Sequence, residues 1–414
     1  MLSVEQALQM VLENTVRRPA EAIALTPAAL GLVLAEDVAS DLDMPPYDKS
    51  LVDGYAVRSA DLGPASVRAG GGEAGLAVTS LLLKVVEEIP AGHVPRFPLR
   101  PSQVARIMTG AMLPPGADAV LMSEKVETVG GGAISISDQN IKRGQNVMPR
   151  GQEMRQNEIV LQAGASLRPQ ELGLLAAVGR HVIQVYRPPQ VGILSTGDEL
   201  VEPSVEPGPG QIRNSNATLL AGQVARAGAR PLYLGIARDT TESLRLLIGE
   251  GLRGDMLLLT GGVSAGKLDL VPGVLQELGV LPIFHKVAMK PGKPLFFGRR
   301  EDTLVFGLPG NPVSALVGFE LFVRSALNVM LGRSAIGPRM LNARLAIDFA
   351  QTSDRRTYHP AQLTPTDDGW SIAPVAWFGS PDLRSITRAN AFAVFEPGER
   401  QYRQGELLPV LMPE

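Results

Sequence analysis

The sequence predicts a multidomain α/β protein: a central doubly wound parallel sheet, a helical domain, an inserted mainly β domain and a small C-terminal β domain. Three observations carry that reading. A chain of 414 residues exceeds what one compact core accommodates. Residues 190–331 alternate strand and helix patterns, the rhythm of an open parallel sheet covered on both faces. Residues 55–147 and 337–414 instead break into short runs between Gly and Pro, the mark of mainly β modules.

The elements follow in order. Ser3 and Gln6 fit a capping box, and Val4, Ala7, Leu8, Val11 and Leu12 make one apolar face, so residues 3–15 read as a helix. Glu5 stands where a secretory signal would be basic. A second helical pattern covers 26–37, and a third runs from Pro169 to Val178. Between them lie runs such as Tyr55-Ala56-Val57, Ala105–Met108 and Ala119–Met122. The expected layout is a helical domain of 1–43 and 148–178 flanking an inserted β domain, 44–147.

The α/β domain, 179–331, has strand candidates Val191–Leu194, Leu232–Ile236, Met256–Thr260, Pro282–Val287 and Leu304–Gly307. Helical patterns lie at Asn216–Ala229, Thr241–Leu252, Val271–Leu278 and Val313–Met330. Residues 332–414 form the last β domain.

Composition narrows the function. Lys and Arg total 39 against 42 acids, a net charge of −3, which removes the electrostatic motive for general nucleic-acid binding. With no cysteine, disulfides, thiolate zinc sites and cysteine nucleophiles are excluded. Four histidines (His93, His181, His285, His359) show no helical metal-ligand spacing, so any metal must be held mainly by oxygen. No stretch reads as apolar and long enough to span a bilayer, and the cytoplasm is the expected compartment.

In a doubly wound sheet, ligands gather at the carboxyl ends of the strands. There this sequence places Ser195-Thr196-Gly197-Asp198-Glu199, Thr260-Gly261-Gly262-Val263-Ser264 and Gly307-Leu308-Pro309-Gly310-Asn311-Pro312-Val313-Ser314. Glycines permit close backbone approach, and the helix starts that follow offer N–H groups to an anion. Asn311 reads as an N-cap with Pro312 at the first helical position. One such loop is more often only a tight turn, but three on one edge favour a ligand. Gly261 to Lys267 satisfies G-x-x-x-x-G-K, but Leu268 stands where a P-loop needs Ser or Thr for Mg²⁺. A phosphotransferase of the P-loop class is therefore a poor reading.

Lys286, Lys290 and Lys293 lie in a loop stiffened by Pro291, Gly292 and Pro294, a fixed cation cluster suited to a phosphorylated or oxyanionic substrate. Asp53, Asp198, Glu199, Asp239 and Asp269 sit at comparable breaks and could hold Mg²⁺ or position a reacting group. Each alone fits a cap or turn equally well.

Several segments, in this order, resemble the molybdopterin molybdenumtransferase family of bacterial MoeA and the gephyrin E domain. They are Asp48-Lys49-Ser50-Leu51-Val52-Asp53-Gly54-Tyr55-Ala56, Arg106–Ala111, Pro114–Val120, Ser195–Leu200 and Gly210–Asn216. Gly261–Ser264 with Asp269, Lys290–Pro294 and Pro309–Ser314 complete the set.

The resemblance implies that 179–331 is a molybdopterin-binding domain. It also implies a molybdenum insertase that transfers molybdate to adenylylated molybdopterin with hydrolysis and release of AMP, aided by Mg²⁺ or a similar divalent cation. Asp53, Thr109, Glu199, Asp239, Asp269, Lys290 and Lys293 would be catalytic, with Glu199, Asp239 and Asp269 at the metal. Ser195, Thr196, Gly197, Asp198, Gly261, Gly262, Ser264, Pro309, Gly310, Asn311 and Ser314 would bind substrate. A cytoplasmic homodimer is implied, with Asp53 and Thr109 serving the other subunit's site. Partners would be a molybdopterin adenylyltransferase and apo-molybdoenzymes, with neither nucleic acid nor membrane. Two departures stand out: Asn146 where the family carries Asp, and Trp377–Asp382 in place of Gln-Gly-Ser-His. They motivate an alternative, a diverged non-catalytic paralogue acting as a pterin- or partner-binding scaffold.

Overall fold

The computed structural model describes residues 1–62, 81–136, 141–262 and 270–413. It forms two compact units, Met1–Glu36 with Ala163–Gly173 and His181–Glu414, and Asp37–Gln162 with Leu174–Arg180.

The first unit is built on a six-stranded sheet in the order Arg230–Ala237, Gln190–Thr196, Met256–Thr260, Thr303–Leu308, Phe296–Arg300, Leu281–His285. The first four strands are parallel. Side chains on a strand alternate between faces, and here both faces are apolar. Met256 and Leu258 join one buried cluster, Leu257 and Leu259 the other. Ser215–Arg226 covers the first face through Leu220 and Val224, and Thr241–Gly251 covers the second through Leu244 and Ile248. This is why the central strands read as continuous apolar runs.

Phe296–Arg300 was not anticipated, and it runs antiparallel to both its neighbours, Leu281–His285 and Thr303–Leu308. The chain turns back from Phe296–Arg300 to Thr303–Leu308 over Glu301 and Asp302, with Glu301 at φ 51°, a short hairpin incompatible with a crossover helix.

The helical pattern at 26–37 is not a helix. Pro27–Ala29 makes one 3₁₀ turn, Gly31 at φ 81° ends it, and the buried Val33 and Leu34 bridge Ser166 and Val185. Tertiary bridging wins over the apolar spacing there. Val4–Glu13 forms with its capping box complete, and Val4, Ala7 and Val11 pack in the same cluster as Phe319, Phe322 and Met330.

The helix Pro312–Met330 corrects the expectation that no segment could cross a bilayer: by length and composition it qualifies, yet 94% of its apolar 18-residue stretch is buried inside the fold. Its apolarity is that of a central core helix, and its middle turn, Phe319–Val323, is π-helical.

A second sheet in this unit runs Met289–Lys290, Arg356–Thr366, Gly369–Pro374, Met340–Leu345, Leu407–Leu411, Ala391–Phe395. Its first member is the start of the lysine loop, stitched to Arg356 and Thr357.

The second unit is mainly β. Its six-stranded sheet runs Ala119–Met122, Gly54–Val57, Gln103–Ile107, Leu81–Ile89, Ala133–Ile136, Val126–Val129. Gly54 is required where it stands: a Cβ there would overlap the Leu121 carbonyl oxygen on the neighbouring strand.

Candidate active site

A cavity of about 460 Å³ opens at the carboxyl ends of the parallel strands. Strand ends supply Thr196, Glu199, Thr260 and Gly261, and the strand-to-helix turn supplies Gly310, Asn311 and Pro312. The start of the helix Ser215–Arg226 adds Arg213, Asn214, Ser215 and Asn216. Gly261 sits at φ 84°, and a Cβ on it would lie 2.5 Å from the Thr196 carbonyl oxygen, so only glycine fits.

The polar groups beneath this cavity form a defined chain. Asn214 caps its helix, accepting from the Ala217 N–H at 3.3 Å. Ser195 Oγ lies 3.1 Å from the same Asn214 oxygen, and Thr260 Oγ1 lies 3.5 Å from Ser195 Oγ. Asn214 Nδ2 donates to the Tyr233 hydroxyl at 3.0 Å, which donates to Glu202 at 2.8 Å. Burial and the Glu202 carboxylate push the Tyr233 phenol up to about 12. Asn216 Nδ2 donates to the Gly310 carbonyl at 2.8 Å. Thr196 Oγ1 and Asn216 Oδ1 are buried with no hydrogen-bond partner among the described residues, which leaves both open to a ligand.

A second cavity, about 550 Å³, shares Asn311 with the first. Lys290, Lys293 and Arg355 line it together with Pro309, Ser314, Trp377 and Ser380. Lys290 is half-buried and Lys293 exposed. Arg355 donates to the Met289 carbonyl at 3.2 Å and holds Asp354 at 2.9 Å, which keeps the Asp354 carboxyl below its ordinary range. Lys286, at φ 87°, is not in this wall.

Asn311 occupies the N-cap position with Pro312 behind it, but its side chain makes no capping bond. It donates to Ser380 Oγ at 2.8 Å instead, and the Val313 N–H donates to the Ser380 carbonyl at 3.2 Å. The segment Trp377–Asp382, the second departure from the family pattern, thus meets the strand-to-helix turn.

The remaining expected residues divide. Ser195 lies buried beneath the first cavity. Gly197 is at φ 143°, and a Cβ there would strike the Glu199 carboxylate. Asp198 and Asp239 are exposed neighbours outside the wall, the Asp239 N–H donating to Asp198 at 3.2 Å. Gly262 follows Gly261 at φ 58°. Ser264 and Asp269 lie outside the described residues. No group of three His, Cys, Asp or Glu side chains among the described residues is placed to hold a metal ion.

In the second unit, Asp53 accepts from the Thr109 N–H at 2.7 Å and the Thr109 hydroxyl at 2.8 Å. These bonds, the backbone one foremost, hold its carboxyl below the ordinary aspartate value. Asn146 stands at φ 59° and donates through Nδ2 to the Val120 carbonyl at 2.9 Å, a bond that a carboxylate could not make.

Sequence reasoning missed Asn214, Asn216, Tyr233, Arg355 and Trp377. Asn214 and Asn216 lie in the family-like segment Gly210–Asn216 and Trp377 in the departing segment, which were usable signals; nothing local marks Tyr233 or Arg355.

A doubly wound sheet that gathers glycine turns, orphaned hydroxyl and amide oxygens and fixed lysines at its strand ends defines a small-molecule binding protein equipped for an anionic ligand. Residues 2–179 match the MoeA N-terminal region (domain I and II), 192–329 a probable molybdopterin binding domain, and 342–412 the MoeA C-terminal region (domain IV). The chain is 34% identical over 414 residues to the molybdopterin molybdenumtransferase of Bacillus subtilis, covering 99% of this chain and 94% of that one. It is 31% identical to the Staphylococcus epidermidis enzyme of the same name, covering 100% and 96%. Among solved structures it is similar to a molybdopterin biosynthesis MoeA protein from Pyrococcus horikoshii, with TM-score 0.83, 33% identity and coverage of 100% and 99%. A second MoeA structure from that organism gives 0.80 and 30% over 100% of both chains. The chain belongs to the MoeA family of molybdopterin molybdenumtransferases.

Proposed function

We propose that this chain inserts molybdenum into molybdopterin, with adenylylated molybdopterin and molybdate as substrates and AMP as the leaving product. The observation that carries the reading is the junction at Asn311: a cavity of glycine turns and orphaned oxygens adjoins one lined by Lys290, Lys293 and Arg355. A phosphorylated heterocycle and an oxyanion need these two environments side by side. No observation favours the scaffold alternative.

In this reading Lys290, Lys293 and Ser314 hold the oxyanion, and Thr196, Gly261, Gly310 and Asn311 seat the nucleotide-bearing pterin. Ser195, Gly197, Asp198, Gly262, Ser264 and Pro309 shape the same strand ends. Glu199 and Asp239, with Asp269, offer the oxygen donors that a hard divalent cation such as Mg²⁺ takes, and such an ion supplies charge neutralisation at phosphate oxygens. We further infer a cytoplasmic homodimer in which Asp53 and Thr109 of one subunit serve the other, supported by the match to the family's Asp-Gly-Tyr-Ala segment. A molybdopterin adenylyltransferase would supply its substrate and apo-molybdoenzymes would receive the product. The division into 1–43 with 148–178, 44–147, 179–331 and 332–414 is proposed as the domain plan.

The purified chain, given adenylylated molybdopterin, molybdate and Mg²⁺, is expected to release one AMP per molybdenum inserted and to reconstitute an apo-molybdoenzyme. Pterin binding without AMP release would overturn the insertase reading.

A further inference from the structure

We propose that Tyr233 and Glu202 are positioning residues that lock the hydrogen-bond direction of the cavity floor, so that Thr260 meets the ligand as an acceptor. The floor then takes an N–H-bearing edge of the substrate, not its phosphate. This deepens the insertase reading and rests on it.

The direction is forced from one fixed point. The backbone N–H of Ala217 can only donate, so the Asn214 atom facing it, 3.3 Å away, must be the amide oxygen. Ser195 Oγ, 3.1 Å from that oxygen, must therefore spend its proton there. Having no proton left, Ser195 can only accept from Thr260 Oγ1, 3.5 Å away. Thr260, 2% exposed and in the cavity wall, then directs its proton inward over this long contact and turns its lone pairs toward a ligand.

The outer half of the chain holds this order. With its oxygen facing Ala217, Asn214 turns Nδ2 to the Tyr233 hydroxyl at 3.0 Å. That hydroxyl must accept, and its own proton goes to Glu202 at 2.8 Å. The raised phenol keeps this proton at every working pH. An independent bond gives the same polarity next door. Asn216 donates Nδ2 to the Gly310 carbonyl at 2.8 Å, which leaves its Oδ1 as an acceptor, 6% exposed as a residue and without a partner among the described residues.

Two acceptors on one buried wall repel a phosphate oxygen and complement a ring N–H or amino group. Among the described residues the one cation in the wall is Arg213, an exposed residue tied to the Val205 carbonyl at 3.2 Å, so it serves the mouth of the cavity. Removing the Tyr233 hydroxyl deprives Asn214 Nδ2 of its acceptor and sets the amide flip against the Ala217 bond alone. A flipped amide would reverse Ser195 and Thr260 and present a proton to the ligand's own N–H.

The test measures calorimetric binding of adenylylated molybdopterin together with KM for pterin and for molybdate. Thr260→Val is expected to weaken pterin binding about tenfold, the scale of an unpaired buried donor, and Thr260→Ser to restore it within about twofold. Tyr233→Phe is expected to raise the pterin KM about fivefold with kcat little changed. Glu202→Gln, whose carbonyl still accepts, should match the parent, and Glu202→Leu should resemble Tyr233→Phe. The molybdate KM should not move in any of them. Parental binding by Thr260→Val, or a Tyr233→Phe defect shared equally by pterin and molybdate, overturns the proposal. A parent that binds the pterin but releases no AMP overturns the insertase reading instead, and calorimetry still judges the floor.

Discussion

The two cavities that meet at Asn311 have similar volumes, about 460 and 550 Å³, but opposite chemistry. One is floored by strand ends whose hydroxyl and amide groups are almost wholly buried: Ser195 at 0%, Thr260 at 2% and Asn214 at 2% exposure. The other is walled by cations from a stiff loop and from the second sheet. The difference lies in where each polarity can be supported. Neutral groups tolerate burial once their hydrogen bonds are satisfied, whereas ammonium groups stay at the solvent edge and need a rigid mount.

The comparison breaks most sharply at the lysines. Lys290→Ala or Lys293→Ala is expected to lower kcat/KM about a hundredfold, with the defect in molybdate use, because each removes a charge placed for an oxyanion. Steady-state kinetics with both substrates varied would show it. An equal defect in pterin use would mean that the cavities do not divide the substrates.

Gly261→Ala attacks the other side. Its Cβ would press on the Thr196 carbonyl from a left-handed backbone, so the fold should lose about 2 kcal/mol in denaturant unfolding. At temperatures where the variant stays folded, the pterin KM should rise while the molybdate KM holds.

His359 reports the field of the cationic cavity without lining it. Burial first, and the Lys290 charge as well, lower its pKa from 6.5, although its bond to the Val375 carbonyl opposes them. A depressed histidine is neutral in the fold, so it favours folding above 6.5. That contribution falls as pH drops from 6.5 towards the folded value, because the unfolded chain binds the proton first. In Lys290→Ala the His359 titration, followed by NMR, should move upward. No movement would place the lysine charge too far away to act on the cavity wall.

Much of this was legible in the residues. The parallel strands announced themselves as apolar runs ending in Gly, Asp and Glu, because both faces of the sheet are covered. The lysine loop was legible because Pro and Gly restrict its backbone. What stayed hidden depends on tertiary pairing. The apolar spacing at 26–37 looked helical because Val33 and Leu34 are buried, but strand-like bridges bury them. Phe296–Arg300 stayed outside the expected strands because the turn of its hairpin, Glu301-Asp302, lacks the Gly that usually marks such a turn. Arg355 and Trp377 reach the second cavity from the C-terminal β region, where no glycine turn or charged cluster points to a ligand.

The smallest expected effect concerns the seam itself, and two asparagines show why. Asn214 and Asn311 both occupy N-cap positions, but only Asn214 uses its side chain on the helix. Replacing a working cap costs about 1 kcal/mol, and Asn214 would also break the floor chain. Asn311 spends its amide on Ser380, a solvent-exposed bond of 2.8 Å joining the strand-to-helix turn to the Trp377–Asp382 segment. Asn311→Ala should therefore cost only about 0.5 kcal/mol, less than a cap, because water replaces the lost partner. Ser380→Ala should cost the same, and the double variant no more than either alone, since both remove one bond. Additive losses in denaturant unfolding would show that the two side chains act separately and that the cavities are not joined through this contact.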